Sequence, residues 1–325
     1  MIIKPREMPK YLMQLEALAS RLPINQIKKE DVVKQLINQR TGFNGERSIN
    51  FPLIFLPQND YFILHNLRLL YQPNYYFQID TLILSGKFFL IIEVKNYFGT
   101  LIFESMFDQL IRVTDEKEEG FENPILQVER QSRQLKSYLS THFFSTVPIE
   151  NLVVISSPRT ILKNPSNSPL ISEKIIHSSK LPTKIIELEN KYPNNIIATK
   201  KIMSISEKLL KEHTPDTKNI LEKFHIPESD ILTGVRCTKC FHLPMKRIKG
   251  GWNCPACNQI SINAHFSALK DYLLLISNSI TNKEARHFLH LNSDSTTKRL
   301  LKSMNLPYLG ENKGRKYRLN FLENK

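Results

Sequence analysis

The sequence predicts a mixed α/β core followed by two small modules. Runs rich in β-branched and aromatic residues alternate with helix-like stretches over residues 41–165. All four cysteines lie between Cys237 and Cys257. Beyond them, residues 263–325 combine short helix-like segments with two extended halves around a polar turn. A domain usually has roughly 100–200 residues, so a chain of this length has room for two or three.

The first forty residues read as a helical extension. Leu12, Leu15 and Leu18 share one helix face, and Asp31 lies near the start of a second helix. The expected segments follow in chain order. They are the extension (1–40), an α/β domain (41–213, with its motifs in 41–165), a linker (214–232) and the two modules (233–262 and 263–325).

Charge is concentrated in the last third of the chain. The 45 lysines and arginines exceed the 31 acidic residues and give a net charge of +14. Fifteen of these basic residues, against five acidic ones, lie between Cys237 and Lys325. Such an excess favours a polyanionic partner, most simply DNA, although it is also typical of a solubilising surface.

The overall composition excludes several classes of protein. Hydrophobic residues make up 41% of the chain, which excludes wholesale disorder. No apolar run approaches the ~20 residues of a membrane helix. The first nine residues lack the apolar stretch of a secretory signal. We therefore expect a cytoplasmic protein without a membrane partner.

The most informative segment is a hairpin that ends in acidic residues. Two apolar runs flank Gly86-Lys87, a pair that suits a type II′ turn. This turn sets a register in which Asp80 lies opposite Glu93, and directly opposed residues share a sheet face. Lys95 follows two residues later and points the same way. The hairpin therefore predicts two carboxylates and one ammonium group close together.

Such a cluster can hold a divalent cation. Adjacent carboxylates repel each other unless a cation lies between them. Mg²⁺ and Mn²⁺ take oxygen ligands, and such an ion can polarise a phosphoryl oxygen and activate a bound water. The alternative at this stage is an ordinary surface ion pair between Glu93 and Lys95.

These residues also carry a family resemblance. Gln78-Ile79-Asp80 and Ile92-Glu93-Val94-Lys95-Asn96-Tyr97-Phe98-Gly99 resemble the nuclease-related domain (NERD) family of the PD-(D/E)XK superfamily. Gly42-Phe43-Asn44-Gly45-Glu46 and Asn123-Pro124-Ile125-Leu126-Gln127 are similar as well, and Leu152-Val153-Val154-Ile155 resembles a later strand of the family. The resemblance implies a restriction-endonuclease-like α/β (α+β) core with a mixed sheet.

The resemblance also implies roles for individual residues. Asp80 and Glu93 correspond to the carboxylates that bind Mg²⁺ or Mn²⁺, and Glu46 to an acidic residue that helps to hold the metal directly or through water. Lys95 corresponds to the lysine beside the attacking water, and Gln127 to a glutamine that lines the site. The implied activity is hydrolysis of phosphodiester bonds.

A looser similarity involves the helix that follows. Gln134 and Tyr138 have a Q-x-x-x-Y spacing similar to one in RecB-type nucleases of the superfamily. We favour a simpler interpretation, in which Tyr138 packs inward from one helix face.

The four cysteines predict a metal site. Two C-x-x-C pairs separated by 13 residues can each form a tight turn, and four thiolates suit a structural Zn²⁺. The predicted ligands are Cys237, Cys240, Cys254 and Cys257. The nearby His242 and His265 are expected on the surface.

The segment between the two cysteine pairs is basic. Lys246 and Arg247 could contact phosphates, as expected of a zinc ribbon that binds nucleic acid. Zinc ribbons also bind proteins, so a protein partner stays open.

The last module resembles a winged helix-turn-helix. Thr281-x-x-Glu284 is a capping box, and a third helix is expected over Ser295–Met304. Basic side chains are expected on the outer face of that helix and on the wing, where they could contact DNA. They are Lys298, Arg299, Lys302, Arg315, Lys316 and Arg318. The alternative is a charged helical bundle that contacts a protein.

Together these features predict a metal-dependent nuclease with two accessory modules for binding DNA. Two alternatives remain at the level of sequence. One is a non-catalytic DNA-binding regulator on a nuclease-like scaffold, and the other is an adaptor whose last two modules recruit a protein.

Overall fold

The computed structural model describes residues 1–57, 59–115, 117–143, 147–216 and 219–319. The chain divides into two compact units. The first comprises Met1–Met8 and Gln39–Pro215, and the second comprises Pro9–Asn38 and Asp216–Lys325.

Helices and strands alternate along the described residues. The helices are α1 (Lys10–Arg21), α2 (Lys29–Ser48), α3 (Asn50–Leu53), α4 (Pro124–Phe143), α5 (Pro169–Lys174), α6 (Leu181–Lys191), α7 (Thr199–Lys211), α8 (Ile220–Phe224), α9 (Ala264–Leu275), α10 (Asn282–Leu289) and α11 (Asp294–Ser303). The strands are β1 (Ile2–Lys4), β2 (Phe62–Gln72), β3 (Tyr75–Leu84), β4 (Phe89–Lys95), β5 (Thr100–Glu104), β6 (Gln109–Val113), β7 (Glu118–Glu122), β8 (Ile149–Ile155), β9 (Ile161–Lys163), β10 (Ile175–His177), β11 (Lys246–Ile248), β12 (Gly251–Asn253), β13 (Ile260–Ser261), β14 (Ser279–Thr281), β15 (Tyr308–Leu309) and β16 (Lys316–Arg318).

The first unit is built on a mixed sheet in the order β1-β2-β3-β4-β8-β10. β2, β3 and β4 are antiparallel neighbours, whereas β1 with β2, β4 with β8, and β8 with β10 are parallel pairs. One apolar core joins the sheet to α4 and α7, and another joins it to α3 and α6. The predicted mixed α/β fold class is therefore confirmed.

A second sheet, in the order β7-β6-β5-β9, lies beside the amino-terminal part of α4. Leu101, Phe103 and Leu110 from this sheet form a core with Ile125 and Val128 of α4. The helix begins at the predicted Pro124, and the Asn123 side chain accepts a hydrogen bond from the Ile125 amide (3.0 Å). This arrangement fixes the face that α4 presents to the carboxylate hairpin.

Two segments have more structure than the sequence indicates. Residues 2–4, expected within a helical extension, form β1 and pair with β2. The described part of 214–232, expected as a linker, contains α8 and contributes Ile220 and Ile226 to a core with Leu15 and Leu18 of α1. Residues 217 and 218 of that stretch lie outside the described residues.

The carboxyl-terminal part of the second unit has two small sheets. The first, β11-β12-β13, lies beside the cysteine pairs. In the second, the strand order is β14-β16-β15, and α9, α10 and α11 precede the last two strands. Thr281 and Glu284 form the predicted capping box, and Ser293 caps α11. Residues 320–325 of the predicted last module lie outside the described residues.

Candidate metal centre and cysteine site

The hairpin register agrees with the sequence. β3 and β4 pair from Leu84↔Phe89 to Thr81↔Ile92, which brings Asp80 level with Glu93. The predicted type II′ turn is wrong, because this turn needs a positive φ at Gly86 and the φ of Gly86 is not positive.

The Ser85 side chain holds this turn instead. Its hydroxyl oxygen accepts hydrogen bonds from the amides of Lys87 (3.3 Å) and Phe88 (3.1 Å). Position 86 is also crowded, since a Cβ there would lie 2.6 Å from Asn195 Oδ1 and the Asn195 side chain would have to move. A distant segment thus packs closely against the turn.

The hairpin strands stop pairing where the carboxylates begin. The Asp80 side chain takes over the role of a backbone partner, because its Oδ2 accepts the Val94 amide at 2.9 Å. β4 continues alongside β8 as far as Lys95↔Ile155. The hydrogen bond from the Val94 amide therefore holds the Asp80 carboxylate against the end of β4.

Two glutamines of α4 complete the surroundings of Glu93, which is 5% exposed. Lys95 Nζ donates to Glu93 Oε1 (2.8 Å) and to Gln127 Oε1 (2.9 Å). Gln131 Nε2 donates to Glu93 Oε2 (2.9 Å) and to the Gln78 carbonyl (2.9 Å). Both oxygens of Glu93 are thus oriented by named donors.

Glu46 lies near this pair and is bound by an arginine. Arg6 Nη1 donates to Glu46 Oε2 at 2.7 Å. The helix that carries Glu46 approaches closely because Gly45 has no side chain, and a Cβ there would lie 2.4 Å from the Asn96 Cβ. Gly45 therefore has a role in packing that the spacing of residues in the sequence did not indicate.

The electrostatics of the cluster favour a bound cation. Burial raises the pKa of Asp80 well above its usual range, and the carboxylates of Glu93 and Glu46 raise it further. Burial also raises the pKa of Glu46, although Arg6 opposes this. For Lys95, burial alone would lower the pKa, but the carboxylates of Glu93 and Asp80 outweigh burial and the pKa is raised. The lysine therefore stays charged.

The donor set fits Mg²⁺ or Mn²⁺ through Asp80 and Glu93, whose carboxylate oxygens are the hard ligands that these ions prefer. In the part of the chain that the structure describes, no cationic side chain hydrogen-bonds to the Asp80 carboxylate. The ligand oxygens of Glu46, Asp80 and Glu93 do not all lie within 4.8 Å of one another. Direct coordination by Glu46 is therefore a prediction.

Sequence reasoning missed three members of this site: Gln131, Arg6 and His65. Gln131 could have been found, because it lies one helical turn after Gln127 on the same face. Tyr138, by contrast, packs into the core as favoured, and its hydroxyl binds Glu212. Arg6 and His65 have no local signal, since neither belongs to a recognisable motif.

The four cysteines converge as predicted. Their sulfur atoms all lie within 4.8 Å of one another and form no disulfide, so the cluster could form a zinc site. Each pair is followed by a residue of positive φ, Phe241 or Asn258, whose amide donates to the carbonyl of the first cysteine of its pair. Two similar turns therefore bring the four thiolates together.

His265 is not on the surface as expected. It is 4% exposed, and its Nδ1 accepts a hydrogen bond from the Trp252 indole at 3.3 Å. Burial lowers its pKa to about 4. His265 is thus a neutral core residue, whereas His242 is half-buried.

The eight basic side chains that the sequence predicts to bind nucleic acid fall into two groups. Arg247 and Arg315 are partly buried and lie over aromatic rings, at 5.0 Å from Trp252 and 4.0 Å from Tyr308. The others are exposed and available to a partner. They are Lys246, Lys298, Arg299, Lys302, Lys316 and Arg318.

Comparison with known proteins identifies the core. Residues 41–156 match the family described as nuclease-related domain (NERD). The chain therefore contains a nuclease-related domain, and the matched segment includes Glu46, Asp80, Glu93, Lys95 and Gln127. Neither a curated protein nor a solved structure matches the chain. No helix among the described residues is long and apolar enough to span a membrane.

Proposed function

We propose that this protein is a metal-dependent nuclease of the PD-(D/E)XK type that hydrolyses phosphodiester bonds in DNA. The observation that carries the proposal is the convergence of Asp80, Glu93 and Lys95 at the end of one hairpin, within a nuclease-related domain. Asp80 and Glu93 would hold Mg²⁺ or Mn²⁺ directly, and Glu46 would contribute through water.

The bound metal would polarise the scissile phosphate and lower the pKa of a coordinated water. The chain supplies the rest. Lys95 is charged and is held between Glu93 and Gln127, so its ammonium group can orient the attacking water and stabilise negative charge developing on the phosphate. Gln127 positions Lys95, and Gln131 keeps Glu93 in a single orientation.

The second unit would bind the DNA. We propose that the cysteine cluster holds a structural Zn²⁺, because four thiolates leave no open position for catalysis. The order helix, strand, two helices and two strands supports a winged helix-turn-helix, and α11 presents Lys298, Arg299 and Lys302 outward. Lys246 of the zinc ribbon, with Lys316 and Arg318 of the wing, would contact the backbone.

A cleavage assay tests the proposal. Purified protein is incubated with plasmid and with single-stranded DNA, in Mg²⁺, in Mn²⁺ or in chelator. We expect metal-dependent cleavage that is lost in Glu93→Gln and Lys95→Ala and retained in the control Glu118→Gln, an exposed carboxylate of the same unit.

Cleavage that survives Glu93→Gln and Lys95→Ala would contradict the assignment of the site. Absence of cleavage on every substrate, together with DNA binding that Asp80→Asn leaves unchanged, would instead favour the non-catalytic regulator. DNA binding with little salt dependence would favour an adaptor that recruits a protein.

A further inference from the structure

Arg6 lies outside the matched segment 41–156, yet it is part of the carboxylate cluster. β1 pairs in parallel with β2, as Ile2↔Ile63 and Lys4↔Leu64, and this pairing carries the chain to Arg6 beside the site. The Arg6 side chain is 1% exposed. An arginine buried to this extent must be matched by acceptors.

The guanidinium group has acceptors from four elements. Nη1 donates to Glu46 Oε2 (2.7 Å) on α2 and to the Asp80 carbonyl (3.4 Å) on β3. The remaining contacts involve side chains. Nη2 meets Thr81 Oγ1 (2.7 Å) and His65 Nδ1 (2.9 Å), and Nε donates to Asn50 Oδ1 (3.2 Å).

The contact with Arg6 shows that His65 is neutral. An arginine can only donate, so His65 Nδ1 accepts and the imidazole is neutral with its proton on Nε2. Burial and the nearby Arg6 charge lower the pKa of His65 to about 3, in agreement with this tautomer. The positive charge facing Glu46 therefore comes from Arg6 and not from the histidine.

Arg6 makes no hydrogen bond to the carboxylate oxygens of Asp80 or Glu93 in the described structure. It contacts one oxygen of Glu46 and the backbone of Asp80, and it leaves the carboxylates of Asp80 and Glu93 to other partners. Residues that hydrogen-bond to a metal ligand orient that ligand, and their removal commonly weakens metal affinity by about 10–100-fold.

We infer that Arg6 is a positioning residue of the metal centre, which fixes the Glu46 carboxylate beside Asp80 and Glu93. The inference rests on the proposed metal-dependent function. It extends the functional site of this chain to its first eight residues, beyond the matched segment.

The test is Mn²⁺ affinity, measured by calorimetry on the full-length protein at pH 7.5. We expect Arg6→Gln to bind Mn²⁺ about 10–100-fold more weakly than wild type, with partial rescue in Arg6→Lys. Because Arg6 acts through Glu46, the double variant Arg6→Gln/Glu46→Gln should bind no more weakly than Glu46→Gln alone.

Arg21→Gln is the matched control. Arg21 is also 1% exposed and also has a carboxylate partner at 2.7 Å, Asp271, but it belongs to the other unit. The Arg21→Gln variant should lose stability as Arg6→Gln does, but it should keep the wild-type affinity for Mn²⁺. This difference would distinguish a role of Arg6 in positioning Glu46 from a general role in stability.

The outcomes are distinguishable. Wild-type affinity in folded Arg6→Gln would overturn the inference alone. Absence of Mn²⁺ binding in wild type would overturn the proposed function and the inference with it. If Arg6→Gln does not fold, the Mn²⁺ affinity of Glu46→Gln tests the inference instead. An unchanged affinity in Glu46→Gln would mean that the metal does not use the carboxylate that Arg6 binds, and the inference would be wrong.

Discussion

At the scale of single residues, Asp80 shows a conflict between stability and the proposed chemistry. Its pKa is raised in the fold by burial and by two neighbouring carboxylates. A carboxyl group with a raised pKa binds its proton more tightly in the folded state than in the unfolded state. The free energy of unfolding of the metal-free protein therefore falls as the pH rises from about 4 through the raised pKa of Asp80.

We predict that Asp80→Asn stabilises the metal-free protein at pH 7.5, by roughly 0.5–2 kcal/mol. Asparagine has the same shape, and its oxygen can still accept the Val94 amide, but it carries no charge. The gain should shrink at pH 5, and Mn²⁺ should raise the melting temperature of wild type but not of the variant.

Thermal unfolding at the two pH values, with and without Mn²⁺, measures these effects. The exposed Asp115 provides the control variant Asp115→Asn. A lower melting temperature of metal-free Asp80→Asn at pH 7.5 would show that its carboxylate is not electrostatically strained.

Gln131 gives a second prediction at this scale. Gln131→Ala removes the donor to Glu93 Oε2, so Glu93 loses its fixed orientation and the cleavage rate should fall by roughly 10–100-fold. Gln134 lies in the same helix and makes no hydrogen bond to these carboxylates in the described structure, so Gln134→Ala should cleave at the wild-type rate. Equal rates for both variants would argue against a role for Gln131.

At the scale of elements, the approach of α2 to the sheet decides where Glu46 lies. Two glycines of one motif differ in what surrounds them. A Cβ on Gly45 would meet the side chains of Asn96 (2.4 Å) and Ser156 (3.0 Å), whereas nothing lies within 4 Å of a Cβ on Gly42. Glycine is therefore needed for packing at position 45 and is not needed at position 42.

Gly45→Ala should therefore destabilise the protein by about 1–3 kcal/mol, since the helix must move away from the end of the sheet. Gly42→Ala should stabilise it by about 0.5–1 kcal/mol, because alanine restricts the unfolded chain and favours the helix. Urea unfolding of both variants checks this. The same sign of change in both would contradict the packing argument.

At the scale of the whole molecule, the charges of the two units imply a division of roles. The carboxylate cluster belongs to one unit, and the basic third of the chain belongs to the other. Phosphate contacts make affinity for DNA fall with salt, whereas metal binding by carboxylates does not require a basic surface. DNA binding and metal binding should therefore respond to different substitutions.

Replacing Lys298, Arg299 and Lys302 together with glutamine should weaken DNA binding. The slope of log affinity against log salt should decrease by roughly 0.9 for each phosphate that the variant no longer neutralises. Fluorescence anisotropy over a salt series measures the slope. Exposed lysines of the other unit, Lys180, Lys200 and Lys211, supply a triple control with the same change of charge. Equal slopes in both triple variants would contradict binding through α11.

Zinc binding should stabilise the part of the second unit that contains the four cysteines. Cys237 and Cys254 belong to the core that also contains Trp252 and Phe288, so metal loss should unfold this part of the second unit. We expect one zinc ion per chain by elemental analysis, and reduced zinc content and melting temperature in Cys240→Ser. Thr238→Ala, in the same turn, is the control. Full zinc content in Cys240→Ser would contradict four-thiolate coordination.

Some features were predictable because they depend on short stretches of sequence. The cysteine pairs, the capping box at Thr281 and the register that opposes Asp80 to Glu93 each follow from residues that are close along the chain. A short turn or a fixed spacing leaves few ways to arrange such residues, so the arrangement predicted from the sequence agrees with the structure.

Other features were decided only by tertiary structure. Arg6 reaches Glu46 across forty residues and Thr81 across seventy-five, and His265 became a core residue by pairing with Trp252. The turn at Gly86 is held locally by Ser85, but its packing against Asn195 comes from a segment more than one hundred residues away. Local patterns were thus enough to predict that Asp80 lies level with Glu93 and that the four cysteines converge. The fold decided what surrounds them, because the burial and charge balance of a site arise from segments whose positions no local pattern specifies.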